Sequence, residues 1–283
     1  MTETNEKNIV VFYHADCMDG YAAAWAVWKV FCNKARYKAV RHYTPMPDFP
    51  DGAELYIVDF CYPMDVLVSA AKRASKVIVL DHHISAQKDF EDYQKHSTIP
   101  DNLEMNFVQN HSGCMIAWQY FQGDIDAPVL LKHIEDHDLW LHQMPKTEEI
   151  CKALYLRLPV NFYAFDKIKL STLHREGALL LKQQQLNVSR LLKARHTIKF
   201  NNQEGLAVNS PSMFSSDLGH ELAKKSGTFG LTYSYHGKRQ CYDCSLRSIG
   251  DYDVSVLARE FGGGGHKNAA GFSVNQATFL SFL

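Results

Sequence analysis

The sequence lacks several features that would assign a function class at once. It lacks net charge: 30 Lys and Arg stand against 31 Asp and Glu, a formal charge of -1. Such a chain is not a bulk polycation that binds nucleic acid by neutralising many phosphates. It lacks any uninterrupted apolar run approaching a membrane span. Met1 to Asn8 is polar and mixed in charge, without the basic-then-apolar order of a secretory signal. The expected location is the cytoplasm, with no membrane partner. A dense cysteine framework is also missing, because Cys17, Cys32, Cys61, Cys114, Cys151, Cys241 and Cys244 are odd in number and scattered. They read as free thiols. No internal repeat occurs, and the only low-complexity tract is a run of four glycines.

What is present is an ordinary globular composition, 46% hydrophobic and 22% charged over 283 residues. That length exceeds what one hydrophobic core usually serves, so two domains are expected. The first half alternates short apolar runs with amphipathic stretches, the pattern of a parallel sheet covered by helices. Strands are predicted at Asn8 to Tyr13, Leu55 to Val58, Val77 to Leu80 and Met105 to Gln109. Helices are predicted at Tyr21 to Phe31, Met64 to Ala74, from near Ser112, and at Pro128 to His137. A long Leu/Gln/Lys-rich helical stretch, Ser171 to Thr197, reads as a connector. Beyond it, strands at Gly205 to Val208, Phe229 to Tyr235 and Gln240 to Arg247 surround a helix at Ser216 to Lys225. A last helix, Val254 to Phe261, runs into the glycines.

Three of these strands end on acidic or histidine residues. In open α/β sheets ligands bind at the carboxyl ends of the strands, so His14, Asp59 and Asp81 should converge. Around them lie His14-Ala15-Asp16-Cys17-Met18-Asp19-Gly20, Asp81-His82-His83 and Asp136-His137-Asp138. Crowded carboxylates repel, and bound cations relieve the cost. Several Asp with one or two His describe a site for two divalent metals, manganese first, with magnesium, iron, cobalt or zinc as substitutes. Such a pair clamps a phosphoryl group and activates a water, which implies phosphoester hydrolysis.

Taken singly, each of these residues has an ordinary explanation. A strand-end Asp is usually a helix cap or turn residue. His42, His96 and His142 read as surface or hydrogen-bonded histidines. Cys17 has no companion cysteine and reads as a small packing residue. The CxxC spacing of Cys241 and Cys244 lacks the second pair of a zinc site. Ser112 is most simply an N-cap, and His111 suits a substrate contact or a structural role equally.

With Asp81-His82-His83 after an apolar strand, a preceding His-x-Asp…Asp-Gly motif and a strand-end Asp59, the sequence resembles the DHH phosphoesterase superfamily. The resemblance implies a two-manganese site, with Mg2+ or Co2+ as substitutes. By carry-over His14 and Asp16 hold one metal, Asp19 and His82 the other, and Asp59 bridges. The family's first motif spaces its two Asp by one residue, whereas here Cys17 and Met18 intervene, which leaves the allocation open. A fourth-motif Asp completes the second site. Both Asp136 and Asp138 are offered, and the following Leu139-Trp140 favours Asp138. Asp81 would orient a ligand from behind, and His83 would face the substrate phosphate.

Gly262-Gly263-Gly264-Gly265-His266 followed by Ala269-Ala270-Gly271 lets the backbone approach a ligand and point N–H groups at an anion. Arg247 and His266 can add charge-assisted hydrogen bonds. A helix C-cap explains one or two glycines but hardly four. The string resembles the signature of the DHH-associated C-terminal domain. That resemblance implies that Arg247, Gly263, Gly264, Gly265 and His266 bind the non-scissile end of a short nucleotide.

The expected architecture is α/β with two domains and the active site in an interdomain cleft. Residues 1–170 form a parallel-sheet catalytic domain, 171–200 a helical linker, and 201–283 a smaller domain with a mixed sheet. The expected activity is manganese-dependent hydrolysis of dinucleotides such as pGpG or pApA, or of other short RNA, to mononucleotides. Alternatives are a 3′-phosphoadenosine 5′-phosphate phosphatase, a cyclic dinucleotide phosphodiesterase, and a catalytically silent nucleotide sensor. Long nucleic acid is not an expected partner, since it wants a long basic groove with stacking aromatics. Related proteins are often dimers, so the resemblance allows a homodimer.

Overall fold

The computed structural model describes residues 8–41, 44–200 and 203–282, so most of the polar start and His42 lie outside the described residues. The chain divides into two compact units between Leu181 and Lys182. In the first, elements follow the order β1 (Ile9–His14), α1 (Met18–Phe31), β2 (Ala35–Val40), β3 (Glu54–Val58), α2 (Met64–Ala71), β4 (Lys76–Asp81), α3 (Ile84–His96), β5 (Leu103–Phe107), α4 (Gly113–Gln122), α5 (Val129–Asp138), α6 (Thr147–Arg157) and α7 (Phe162–Asp166). Helix α8 (Leu170–Leu191) runs through the division.

The five strands are all parallel, in the order β2-β1-β3-β4-β5. Interior strands buried on both faces must be apolar throughout, and Ile57, Val58, Val79 and Leu80 are fully buried. Alternate side chains enter opposite layers. Val11, Val58, Ile78 and Leu80 pack under α1, α4 and α5, while Phe12, Leu55, Ile57 and Val79 pack under α2. A one-residue slip would exchange the two layers, so burial fixes the register. The strand order reverses direction between β1 and β3, which opens a crevice at their carboxyl ends.

The second unit carries a mixed sheet in the order β10-β11-β9-β8-β7-β6. Its elements are β6 (His196–Phe200), β7 (Gln203–Asn209), α9 (Ser215–Ser226), β8 (Phe229–His236), β9 (Cys241–Ser248), α10 (Val254–Glu260), β10 (Gly264–His266), β11 (Ala269–Asn275) and α11 (Gln276–Leu280). Among the described residues of this sheet, only β7 and β8 pair in parallel. Residues 196–200, read from sequence as the end of a linker, are a strand of this sheet. No helix among the described residues is long and apolar enough to cross a membrane.

Candidate active site

Each interior strand delivers its last side chain to the crevice. His14 ends β1, Asp59 follows β3, and Asp81 ends β4. Asp59 is buried with φ at 64°, a left-handed conformation that Asp tolerates better than bulkier residues. His14 Nδ1 lies 3.4 Å from its Oδ2, and His82 Nε2 lies 3.3 Å from its Oδ1. His82 Nε2 also faces Asp138 Oδ2 at 3.6 Å and Asp19 Oδ2 at 3.9 Å. The fifth residue, Asp138, comes from the last turn of α5.

Asp19, in the first turn of α1, is fixed by another helix. Ser112 Oγ and the Cys114 N–H donate to its Oδ1 at 2.8 and 2.9 Å, and the Gly113 N–H donates to its Oδ2 at 2.6 Å. The carboxylate thus satisfies amides at the start of α4 that the helix leaves unpaired. Ser112 occupies the N-cap position but does no capping, since its hydroxyl serves Asp19. Two glycines make room. A Cβ on Gly20 would stand 2.5 Å from the His14 carbonyl oxygen, and one on Gly113 would stand 2.6 Å from both Cβ and Oδ1 of Asp59.

Electrostatics here are those of buried like charges held together. Burial, then the carboxylates of Asp59 and Asp138, push the Asp19 carboxyl well up. Burial acts on Asp59 too, but the adjacent rings of His14 and His82 outweigh it and hold that carboxyl well below the usual range. His82 is pushed up to about 9, its own burial being overcome by Asp59 and then by the charges of Asp19 and Asp138. Asp138 is raised to about 6 by burial and Asp59. Three overlapping sets place one donor atom per residue within 4.8 Å of one another: Asp59, Asp81, His82 and His83; His14, Cys17 and Asp59; and Asp19, His82 and Asp138. Among the described residues the buried Asp59 Oδ2 meets no donor closer than His14 Nδ1 at 3.4 Å. A divalent cation fits this donor set and would satisfy that oxygen.

Asp81 stands behind the two histidines. Its Oδ1 accepts the His82 N–H at 2.9 Å and lies 2.7 Å from His83 Nδ1. Burial works against the protonated His83 ring, but the Asp81 carboxylate outweighs it and raises its pKa. Beside His83 opens a cavity of about 500 Å3 lined in part by Arg41, Met46, Phe60, Tyr62, Ser85 and Asp89. Among the described residues the buried Tyr62 hydroxyl has no hydrogen-bond partner.

Of the residues expected at the site, His14, Asp19, Asp59, His82, His83 and Asp138 are brought together, with Asp81 behind them. Asp136 and Asp16 are not. Helix α5 continues through Asp138, and a spacing of two residues on a helix turns side chains about 200° apart. Asp136 therefore faces away, accepting the N–H groups of Gln143 at 2.8 Å and Met144 at 3.2 Å. Asp16 has φ at 57° and a side chain 68% exposed, paired with Arg41 at 2.8 Å. Cys17, read as packing, instead sits with His14 and Asp59. His111 is held by Glu135 at 2.7 Å. His142 lies 3.5 Å from Glu148. Gly113 and the Tyr62 cavity had no signal in the sequence beyond single residues of common types.

In the second unit, Arg247 is pre-set by three hydrogen bonds, to Ser245 Oγ, the Leu246 carbonyl and Ser216 Oγ, at 2.9–3.0 Å. His266 is exposed. Capping accounts for one of the four glycines and close backbone approach for two more. Gly262, at φ 73°, ends α10, and its N–H reaches the Arg259 carbonyl at 3.0 Å. A Cβ on Gly263 would collide with the Gly271 carbonyl, and one on Gly265 would stand 2.5 Å from the Ala269 carbonyl. Gly264 has nothing within 4 Å. We expect Gly263→Ala to destabilise the protein by about 1–3 kcal/mol through overpacking, and Gly264→Ala to melt within about 0.5 kcal/mol of the parent. Thermal melting checks both. Cys241 and Cys244 lie on opposite faces of β9, Cys244 in the core, and do not form a ligand pair.

Comparison with known proteins gives three kinds of match. The DHHA1 domain family matches residues 215–283. Protein R106 of Acanthamoeba polyphaga mimivirus, named as uncharacterized, is 31% identical over 295 residues, covering 93% of this chain and 67% of that protein. Among solved structures, the pGpG-specific phosphodiesterase PggH of Vibrio cholerae superposes with a TM-score of 0.54 at 13% identity, over 96% of this chain and 95% of that one. RecJ of Thermus thermophilus, in complex with Mn2+, gives 0.53 at 13% identity, over 97% of this chain but 50% of RecJ. An exopolyphosphatase-related protein of Bacteroides fragilis gives 0.51 at 13%, over 93% and 86%. At these identities the structures show a shared fold.

Proposed function

Because the chain belongs to the DHH superfamily with a DHHA1 domain, we propose that it is a metal-dependent phosphodiesterase that hydrolyses dinucleotides and other very short RNA to mononucleotides. The observation that carries the reading is the cluster that His14, Asp19, His82 and Asp138 form with the buried carboxylate of Asp59. We assign Asp19, His82 and Asp138 to one divalent ion, His14 to the other, and Asp59 to both. Their nitrogen and oxygen donors suit manganese, with Mg2+ or Co2+ as substitutes. When bound, two such ions polarise the phosphoryl oxygens and supply a nucleophilic water near neutral pH.

The chain's own residues do the rest. Asp81 lies 2.7 Å from His83 Nδ1 and raises the pKa of the ring, which leaves Nε2–H to donate to a phosphoryl oxygen as charge grows there. The cavity beside His83 falls within the volume range of small-molecule pockets, which supports a short substrate. In the second unit we assign Arg247, Gly263, Gly264, Gly265 and His266 to a phosphate or base of the substrate, with the hydrogen-bonded Arg247 as its fixed charge.

A substrate panel tests the reading. Purified protein with manganese should convert pGpG or pApA to mononucleotides, with little action on longer RNA, on cyclic dinucleotides or on 3′-phosphoadenosine 5′-phosphate. Phosphate release from the last compound alone would make it a phosphatase, and nucleotide binding without any cleavage would make it a sensor. Metal should also stabilise the fold: at a hundredfold excess over Kd the gain is about 2.7 kcal/mol, which raises Tm by about 5–10 °C. Melting with chelator and with added manganese reads this directly.

A further inference from the structure

The turn that leads from β1 into α1 offers two neighbouring side chains to the crevice, and its backbone selects between them. With φ at 57°, Asp16 turns outward into its ion pair with Arg41. Cys17 follows in extended geometry, φ -116° and ψ 134°, at the N-cap position of α1. Its side chain makes no capping hydrogen bond. Instead its Sγ lies within 4.8 Å of donor atoms of both His14 and Asp59. A second observation points to a cation there: among the described residues the buried Asp59 Oδ2 meets no donor closer than His14 Nδ1 at 3.4 Å.

We infer that Cys17, and not Asp16, completes the metal position of His14 and Asp59 as a thiolate ligand, so that this position prefers a borderline-soft divalent cation, zinc, cobalt or iron(II), over manganese. The inference deepens the dimetal reading above and rests on it. Sulfur, imidazole and carboxylate together form a softer set than the Asp19, His82 and Asp138 position, where every donor is nitrogen or oxygen. On binding, the Cys17 S–H bond breaks, the sulfur electron pair goes to the cation and the proton to solvent, with no redox change. The two positions then differ in kind, one soft and one hard, within a single site.

Cobalt-substituted full-length protein tests this through the metal–sulfur bond, independently of hydrolysis. The wild type should show a near-ultraviolet thiolate-to-cobalt charge-transfer band. Cys32→Ser should keep it, because Cys32 is exposed at the far end of α1, about 21 Å along the helix. Cys17→Ser should lose the band, and its cobalt affinity should fall by more than the about 10–100-fold that loss of an outer partner costs. Cys17→Asp should lose the band yet still take up metal, with its preference moved toward manganese.

Alkylation of the wild type supplies a measurement that needs no variant. Peptide mass spectrometry should find Cys17 protected from iodoacetamide by added zinc, and Cys32 unprotected. Cobalt uptake without the band, a band that survives Cys17→Ser, no cobalt uptake at all, or Cys17 labelled equally with and without zinc would each overturn the inference. A protein that shows the band but cleaves no dinucleotide would keep the inference and overturn the phosphodiesterase reading.

Discussion

Asp59→Asn should lower dinucleotide hydrolysis by about a thousandfold or more, since even removing an outer partner of a metal ligand costs about 10–100-fold and Asp59 touches both proposed positions. The backbone should survive the change. Asn, like Asp, tolerates the left-handed φ of 64° found there. Asp59→Ala should be equally inactive and further destabilised, because an ordinary Cβ in that region costs about 1–2 kcal/mol. Initial rates together with melting in chelator separate the two effects.

The same variant should change the pH dependence of stability. His82 titrates at about 9 in the folded chain because of Asp59 first, then Asp19 and Asp138, against about 6.5 unfolded. A raised folded pKa contributes stability that is fully present below pH 6.5 and is lost as pH rises through 9. With chelator present, the wild type should weaken across that window and Asp59→Asn should weaken less. Denaturant melts at several pH values read the slope.

Gly113→Ala should be nearly as damaging, although it adds one methyl group and no charge. The new Cβ would stand 2.6 Å from Asp59 Cβ and Oδ1 and 2.9 Å from its Cα. Neither side can yield freely, because Asp19 pins the Gly113 and Cys114 amides and Asp59 is held between two histidines. Overpacking of this kind costs about 1–3 kcal/mol. A misplacement of about 1 Å at Asp59 should cost about a hundredfold in kcat/KM. Gly123→Ala, at the other end of α4 with nothing within 4 Å, bears only its left-handed φ of 61° and should leave kcat/KM unchanged.

How much could be read beforehand follows from what each element buries. Strands β1, β3 and β4 are interior and apolar along most of their length, so they stand out as runs of Val, Ile and Leu. Edge strand β2, Ala-Arg-Tyr-Lys-Ala-Val, exposes half its residues, and helix α3 buries none, so neither leaves a periodic signal. The acids and histidines were legible as strand-end residues. Choosing among them required backbone conformation. Asp136 and Asp138 separate only because α5 runs on through 138, and Asp16 and Cys17 separate only through the φ of Asp16. The glycine run was conspicuous as a string, but its local uses were not legible: a helix end at Gly262 and close backbone approach at Gly263 and Gly265.

The central claim is that the group around Asp59 hydrolyses a short phosphodiester with divalent metal. Mononucleotide release from pGpG and pApA, followed by chromatography for wild type and Asp59→Asn with metal and with chelator, tests it most directly. The account predicts stoichiometric mononucleotide formation by the metal-loaded wild type alone. Hydrolysis that survives both chelator and Asp59→Asn, or its absence from a folded, metal-loaded wild type, would contradict it.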